Sequence, residues 1–269
     1  MIVKPLLQFS RPHTMLGTLV SVPCISHSSG AGVMPLGLFS SAILPSLLMN
    51  AFIVGINQIH DIPIDKISKP HLPLAAGTLS LLSGSVFCVT CLFLSLLITF
   101  LHPLSSSPLK WTICLSALVG YLYSCPPFRL KRNPFSAALC IVFVRGFLAN
   151  WGFYEHSKTL SAIGNRVAKP LLLPLCIHFS FFALSIALEK DRPDMVADGE
   201  NGIQTFSQIL GKEEVLFLSR TLLLTSQMVS SFLLLKSPAL IFASLVMHLS
   251  PSYKSLWRGF YASYLSLLL

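Results

Sequence analysis

The apolar residues of this chain gather into long runs, neither alternating with polar residues nor confined to one helical face. The runs cover residues 12–26, 36–57, 79–101, 109–125, 134–153, 169–189, 213–235, 237–250 and 256–269. A helix that crosses a hydrocarbon core needs about 20 predominantly apolar residues, roughly 17–25 in practice. The first, eighth and ninth runs are shorter than the others. Chain breakers stand between runs: Gly30 and Gly32, Pro70 and Pro73, Pro103 and Pro108, the Pro126-Pro127 pair, Pro170 and Pro238. The pattern predicts an all-α, polytopic membrane protein with about nine transmembrane helices. Residues 1–269 read as a single membrane domain, with no soluble domain or long linker.

Composition agrees with that reading. The chain is 53% hydrophobic and 11% charged, with a mean hydropathy of +0.72, where soluble domains are roughly 25% charged. Its formal net charge of +9 reads as an orientation signal and as contact with lipid headgroups. Nucleic-acid binding is not expected, because no basic stretch interleaves with aromatics on a polar surface. With nine crossings, Lys4, Arg11, Lys66, Lys69, Arg129, Lys131, Arg132, Lys190, Arg192, Lys212 and Lys254 share the side of the N-terminus. Lys110, Lys158, Arg166, Lys169 and Lys236 lie opposite. The asymmetry turns the N-terminal side toward the cytoplasm or its organellar equivalent. Residues 1–10 are too short for a transit peptide, so none is expected in this chain. The seven cysteines lie mostly within apolar runs, where a thiol behaves as a small hydrophobe. Cys88-x-x-Cys91 is read in that way, and no disulfide framework is expected.

Acidic residues carry the candidate chemistry. Of ten in the chain, seven fall into two short stretches, Asn57 to Asp65 and Glu189 to Glu200. Ionisable groups are costly in a membrane bundle and mark functional sites by default. Asn57, Asp61 and Asp65 are four residues apart and stack on one helical face if the helix runs past Pro63. Pro63 removes a helical hydrogen bond, so a bend or opening is expected there. Asp191, Asp194 and Asp198 form the second set. Oxygen-only ligand sets suit a hard cation such as magnesium, which takes one or two carboxylates and lets substrate phosphates complete its shell. An even number of crossings separates the two clusters, so both belong to one face. The alternative is solvation of helix ends with local pairing to Lys66, Lys69, Lys190 and Arg192. Arg129, Lys131 and Arg132 share that face and are candidates to clamp phosphate oxygens. Arg145 stands inside the fifth apolar run, as a site residue or as a structural partner for Glu155.

These residues resemble the UbiA superfamily of intramembrane aromatic prenyltransferases. Asn57-x-x-x-Asp61-x-x-x-Asp65 is similar to its first aspartate-rich motif. Lys190-Asp191-x-Pro193-Asp194-x-x-x-Asp198, with Gly202 to Phe206 and Leu210-Gly211 following, is similar to its second. Gly55 to Ile59, Lys69 to Gly77, Arg11 to Thr14, Tyr123 to Arg132, Val144 to Phe147 and Phe260 to Leu265 resemble the homogentisate prenyltransferases in particular. Phe52 to Asp65 and Val144 to Tyr154 look closer to the solanesyl type than to the phytyl type. Ala197 and Glu200 depart from the family's usual second motif.

The resemblance implies helices around a central cavity open to lipid and capped by the two acidic loops. It implies metal ligands at Asn57, Asp61, Asp65, Asp191, Asp194 and Asp198, the four catalytic ones being Asp61, Asp65, Asp194 and Asp198. It implies substrate contacts from Asn57, Asp191, Lys190, Arg129, Lys131, Arg132 and Arg145. The expected cofactor is Mg2+, and the expected substrates are a polyprenyl diphosphate and homogentisate, prenylated with loss of carbon dioxide. Tyr121, Tyr123, Phe147 and Tyr154 are candidates to face an allylic cation, and Arg145 or Arg11 to hold the homogentisate carboxylate. A plastid membrane is the implied location. Phytyl or geranylgeranyl transfer is the alternative within the enzyme class. A transporter is the alternative outside it, disfavoured because the acids sit at helix ends on one face instead of near the bilayer midplane.

Overall fold

The computed structural model describes residues 3–30, 35–163, 171–192, 195–230, 258, 259, 261–263 and 265. Among them every regular element is a helix. The order is α1 (Val3–Phe9), α2 (Pro12–Ser28), α3 (Leu36–His60), α4 (Ile62–Ser68), α5 (Leu81–Leu101) and α6 (Ser107–Ser124), then α7 (Pro134–Ala162), α8 (Leu172–Glu189), α9 (Met195–Glu200), α10 (Phe206–Leu210) and α11 (Lys212–Ser230). By length and composition α3, α5, α7 and α8 are able to cross a membrane. Helices α2, α6 and α11 fall on the first, fourth and seventh apolar runs. The eighth run lies outside the described residues, and the ninth is described only at 258, 259, 261–263 and 265.

Local sequence accounts for several boundaries. Ser80 accepts from the Ser83 amide at 3.1 Å to start α5, and Asn133 accepts from the Phe135 and Ser136 amides at 2.9 and 3.2 Å to start α7. Such caps satisfy amides that a helix start leaves orphaned. Within α3 a π-helical turn spans Phe39–Ile43, just ahead of Pro45, whose missing N–H and bulky ring disrupt the regular ladder. A second π-helical stretch, Val142–Leu148, interrupts α7. That helix also continues past its predicted end at residue 153. The extension carries polar residues, and His156 ties it to the bundle through Ser41 at 3.0 Å and Ser106 at 3.1 Å.

Helix α5 has its polarity reversed relative to a helix in water. It buries Gly84, Cys88, Cys91, Ser95 and Thr99, while Leu82, Val89 and Phe93 are exposed. Small residues on the inner face let helices approach closely where lipid replaces water as solvent. The two cysteines of the C-x-x-C pair are thus interior packing residues, both free. A Cβ added at Gly55 on α3 would collide with the Cys88 sulfur. The core is continuous and includes Phe9, Ile25, Phe52, Phe179 and Phe182. Glu155 pairs with Lys158 at 3.0 Å.

A close approach of backbone to backbone lies in the irregular part of α7. A Cβ at Gly146 would sit 2.6 Å from the Ser180 Cα of α8, against backbone that has no rotamer to change. Overpacking of this kind costs about 1–3 kcal/mol or more. Gly146→Val is therefore expected to lower the midpoint of thermal unfolding in detergent by several degrees; an unchanged midpoint would show that α7 and α8 do not approach as described.

Candidate active site

The first acidic cluster forms at a helix break. At Asp61 the backbone leaves the helical region (φ −107°, ψ 11°), and α4 begins at Ile62. Pro63 then lies in the first turn of α4, where its missing amide costs nothing. The helix therefore does not run on past Pro63 as a single face. The break instead turns α4, while the Asp65 amide donates to the Asp61 carbonyl at 2.7 Å. Asn57 donates to the Ser124 hydroxyl at 3.3 Å, tying the end of α3 to the end of α6.

The connection from α6 to α7 supplies two cations. Lys131 donates to Asp61 Oδ1, and Arg129 donates to the same oxygen at 3.2 Å and to the His60 carbonyl at 3.2 Å. Lys131 is only 8% exposed. Burial pulls its ammonium below the ordinary lysine value, and Asp61 opposes that pull. Arg129 reaches this position from a left-handed backbone conformation, φ 40°, which is uncommon for a residue with a Cβ. Arg132, the third basic candidate of this connection, is exposed. Its side chain points outward, because the short 3-10 turn Leu130–Arg132 presents Lys131 to the interior and its neighbour to the exterior.

The second cluster begins where α8 ends. Lys190 donates to Asp191 at 2.5 Å and stands 5.8 Å from the centre of the Tyr123 ring. Asp198, on α9, is buried. Asp194 lies outside the described residues. Ala197, one of the two departures from the family pattern, packs with Ile64 and Ile203. Its methyl group thus helps to join the two acidic loops through apolar contact. Glu200, the other departure, is exposed.

Asn57, Asp61, Asp65, Asp191 and Asp198 all line one cavity of about 860 Å³. Arg11, Lys69, Lys131, Lys190 and Arg258 line it too. Burial pushes the Asp65 carboxyl above the ordinary carboxylate range, against the pull of Lys69 and Arg11, and nearby Asp61 adds to the rise. Among the described residues no three His, Cys, Asp or Glu side chains group closely enough to hold a metal ion alone. The donors are oxygen-only carboxylates on facing loops, which leaves coordination positions for water and phosphate, as magnesium requires. The residues present fit that ion.

A second chamber of about 410 Å³ adjoins the first and shares Arg11, Asn57, Tyr123 and Lys190 with it. Its other walls include Asn50, Ser116, Ile141, Val144, Phe153 and Arg145. Arg145 stands in the π-helical stretch of α7. Of the aromatic candidates, Tyr123 lines both chambers. Tyr121 and Phe147 are exposed, and Tyr154 is packed in the core. Asn50, bonded to Thr14 at 2.8 Å, was not legible as a site residue, since an amide within an apolar run carries no spacing signal. Arg258 was also missed; its one signal is that it is a charge in a short apolar run.

The sequence model of the UbiA prenyltransferase family matches residues 16–263. The chain belongs to this family. It is 37% identical over 226 residues to homogentisate phytyltransferase 1 of Arabidopsis thaliana, an alignment covering 80% of this chain and 56% of that protein. To homogentisate geranylgeranyltransferase of Triticum aestivum it is 36% identical, over 83% of this chain and 56% of that one. The chain thus spans little more than half the length of these two relatives. Homogentisate solanesyltransferase of Arabidopsis thaliana is 33% identical over 292 residues, with 96% of this chain and 74% of that protein covered. Identities this similar do not separate the solanesyl from the phytyl type. The fold is that of a UbiA homologue from Archaeoglobus fulgidus, solved with geranyl diphosphate (GPP) and Mg2+, at a TM-score of 0.73 and 16% identity, covering 98% of this chain and 99% of that one. The UbiA fold and its apolar helices make this an integral, multi-pass membrane protein.

Removing one partner of a buried ion pair costs about 3–5 kcal/mol, because the stranded charge stays buried. Asp61→Ala would leave Arg129 and Lys131 facing each other without their anion. It is expected to lower the unfolding midpoint in the absence of any ligand, and Asp61→Ala/Lys131→Met to recover part of the loss. A wild-type midpoint for Asp61→Ala would show that the cluster is not a structural ion pair.

Proposed function

We propose that this protein transfers a polyprenyl group from its diphosphate to homogentisate, with magnesium as cofactor and loss of carbon dioxide from the acetate arm. The supporting observation is that both acidic loops and five cations line one cavity, which shares part of its wall with a smaller chamber lined on one side by Ile141, Val144 and Phe153. Its relatives' names support the acceptor, and their chloroplast assignments support a plastid membrane.

In this reading Asp61 and Asp65 face Asp191 and Asp198 across the cavity, with Asn57 and, from its place in the second motif, Asp194 as further ligands. Magnesium bound there would neutralise the diphosphate and stabilise it as a leaving group. Lys131, Lys190 and Arg11 add donors for phosphate oxygens. The pair of Arg129 with Asp61 makes its role the positioning of that carboxylate, with Arg132 left to the lipid or solvent surface. The allylic C–O bond breaks with diphosphate as the leaving group, and a carbon of the electron-rich ring forms the new C–C bond. The bond to the carboxyl carbon then breaks to release carbon dioxide, and its electron pair neutralises the cationic ring. The displaced ring hydrogen is balanced by a proton taken up at the side-chain carbon. Tyr123 stands where the two chambers meet, and its ring face favours the developing cation. The apolar wall of Ile141, Val144 and Phe153 excludes water from that cation. Arg145 faces the smaller chamber and is assigned the carboxylate of homogentisate, with Arg11 at the neck.

The donor we propose is solanesyl diphosphate, on the likeness of Phe52 to Asp65 and of Val144 to Tyr154. Phytyl or geranylgeranyl diphosphate is the second reading, favoured by the higher identity to those relatives.

Membranes carrying the protein, given magnesium, labelled homogentisate and each diphosphate separately, are expected to yield most product with the solanesyl donor. Product with the phytyl donor alone would overturn the choice of chain. Asp65→Asn and Asp198→Asn are each expected to lower turnover at least 100-fold, as loss of electrostatic stabilisation does elsewhere. Arg145→Leu is expected to raise the KM for homogentisate about tenfold or more while leaving the KM for the diphosphate unchanged. Equal KM values for Arg145→Leu and wild type would remove Arg145 from the acceptor site.

A further inference from the structure

Glu189 is the last residue of α8 and, unlike exposed Glu200, a buried acid of the second cluster that is assigned no ligand role. Its side chain is 3% exposed. An anion there is unfavourable twice over, since burial penalises the charge and the C-terminal end of a helix dipole repels it. Two bonds compensate. Ser219 of α11 donates to Glu189 Oε1 at 2.6 Å, and Arg192 donates to Oε2 at 3.2 Å. Ser219 is fully buried, and its carbonyl accepts from the Ser185 hydroxyl of α8 at 3.0 Å. The carboxylate is thus clamped between α8, α11 and the start of the loop that carries Asp191.

The two residues next to Glu189 in sequence point elsewhere. Lys190 and Asp191 line the acidic cavity, whereas Glu189 and Arg192 pair outside it. Arg192 stands one residue from Asp191, so an unrestrained guanidinium would compete with a divalent ion for the carboxylates there. Carboxylates bind arginine well through paired hydrogen bonds.

We propose that Glu189 is a positioning residue that docks the second acidic loop on α11 and holds Arg192 away from the cavity. The carboxylates of that loop are thereby kept for metal and diphosphate. This rests on the metal–diphosphate reading of the cavity.

Manganese, visible by electron paramagnetic resonance, serves as the probe, titrated into purified protein with inorganic diphosphate and no acceptor. Glu189→Gln keeps the shape of the side chain and removes the charge. It is expected to weaken Mn2+ binding about tenfold with an unfolding midpoint within a few degrees of wild type. Adding Arg192→Gln to that variant is expected to restore binding, because the competing cation is gone. Should Glu189→Gln not fold, Ser219→Ala takes its place, with binding weakened about threefold and Ser219→Thr restoring it. Wild-type Mn2+ affinity in the folded Glu189→Gln variant, or in Ser219→Ala, would overturn the proposal and leave Glu189 a packing residue. A wild-type protein that binds no Mn2+ with diphosphate would instead overturn the reading of the cavity, and this inference with it.

Discussion

Taking a carboxylate out of water costs several kcal/mol unless a cation stands beside it, and a membrane bundle offers little water to soften that cost. In this chain the constraint is met pair by pair at one end of the helices. Asp61 has Lys131 and Arg129, Asp191 has Lys190, and Glu189 has Arg192. The break at Asp61, the left-handed turn at Arg129 and the inward set of Lys131 follow from the need to bring these charges together. The cations also give the cavity a second use. Groups that neutralise aspartates in the resting protein are the ones that would meet phosphate oxygens once a metal takes the carboxylates.

The helical frame makes this arrangement stiff. Close approaches at Gly146 and Gly55 fix α7 against α8 and α3 against α5, and small residues on the inner face of α5 let the bundle close. The π-helical stretch Val142–Leu148 carries Arg145 to the wall of the smaller chamber. Insertions of this kind recur at functional sites. The apolar contact of Ile64, Ala197 and Ile203 links the two acidic loops. The Ala197 departure from the family pattern therefore has a packing role, as part of that link.

Much of this was legible in the sequence, for reasons that differ from element to element. The apolar runs marked the helices because membrane length imposes a minimum on them. The acidic clusters were visible because acids are rare here, and the parity of crossings put both on one side. Spacing alone could not show that the helix ends at Asp61, since Pro63, which stands in the first turn of α4, reads equally as a kink in a longer helix. Nor could it tell Lys131 from Arg132, which share one basic turn and differ only in the direction they face. Nor could it show that Arg129, like Lys131, pairs with Asp61. Glu189 was indistinguishable from its acidic neighbours until its bonds to Ser219 and Arg192 were seen.

The central claim is that the two acidic loops form one site. A double-mutant cycle on Asp65 and Asp198 tests it most directly, read as the affinity of purified protein for magnesium with inorganic diphosphate by calorimetry. Residues that act on one bound group are non-additive, whereas independent sites add within about 0.5 kcal/mol. Each single Asn variant is predicted to lose most of the affinity, and the double variant to lose little more. Losses that simply add would show two separate sites and would contradict the account.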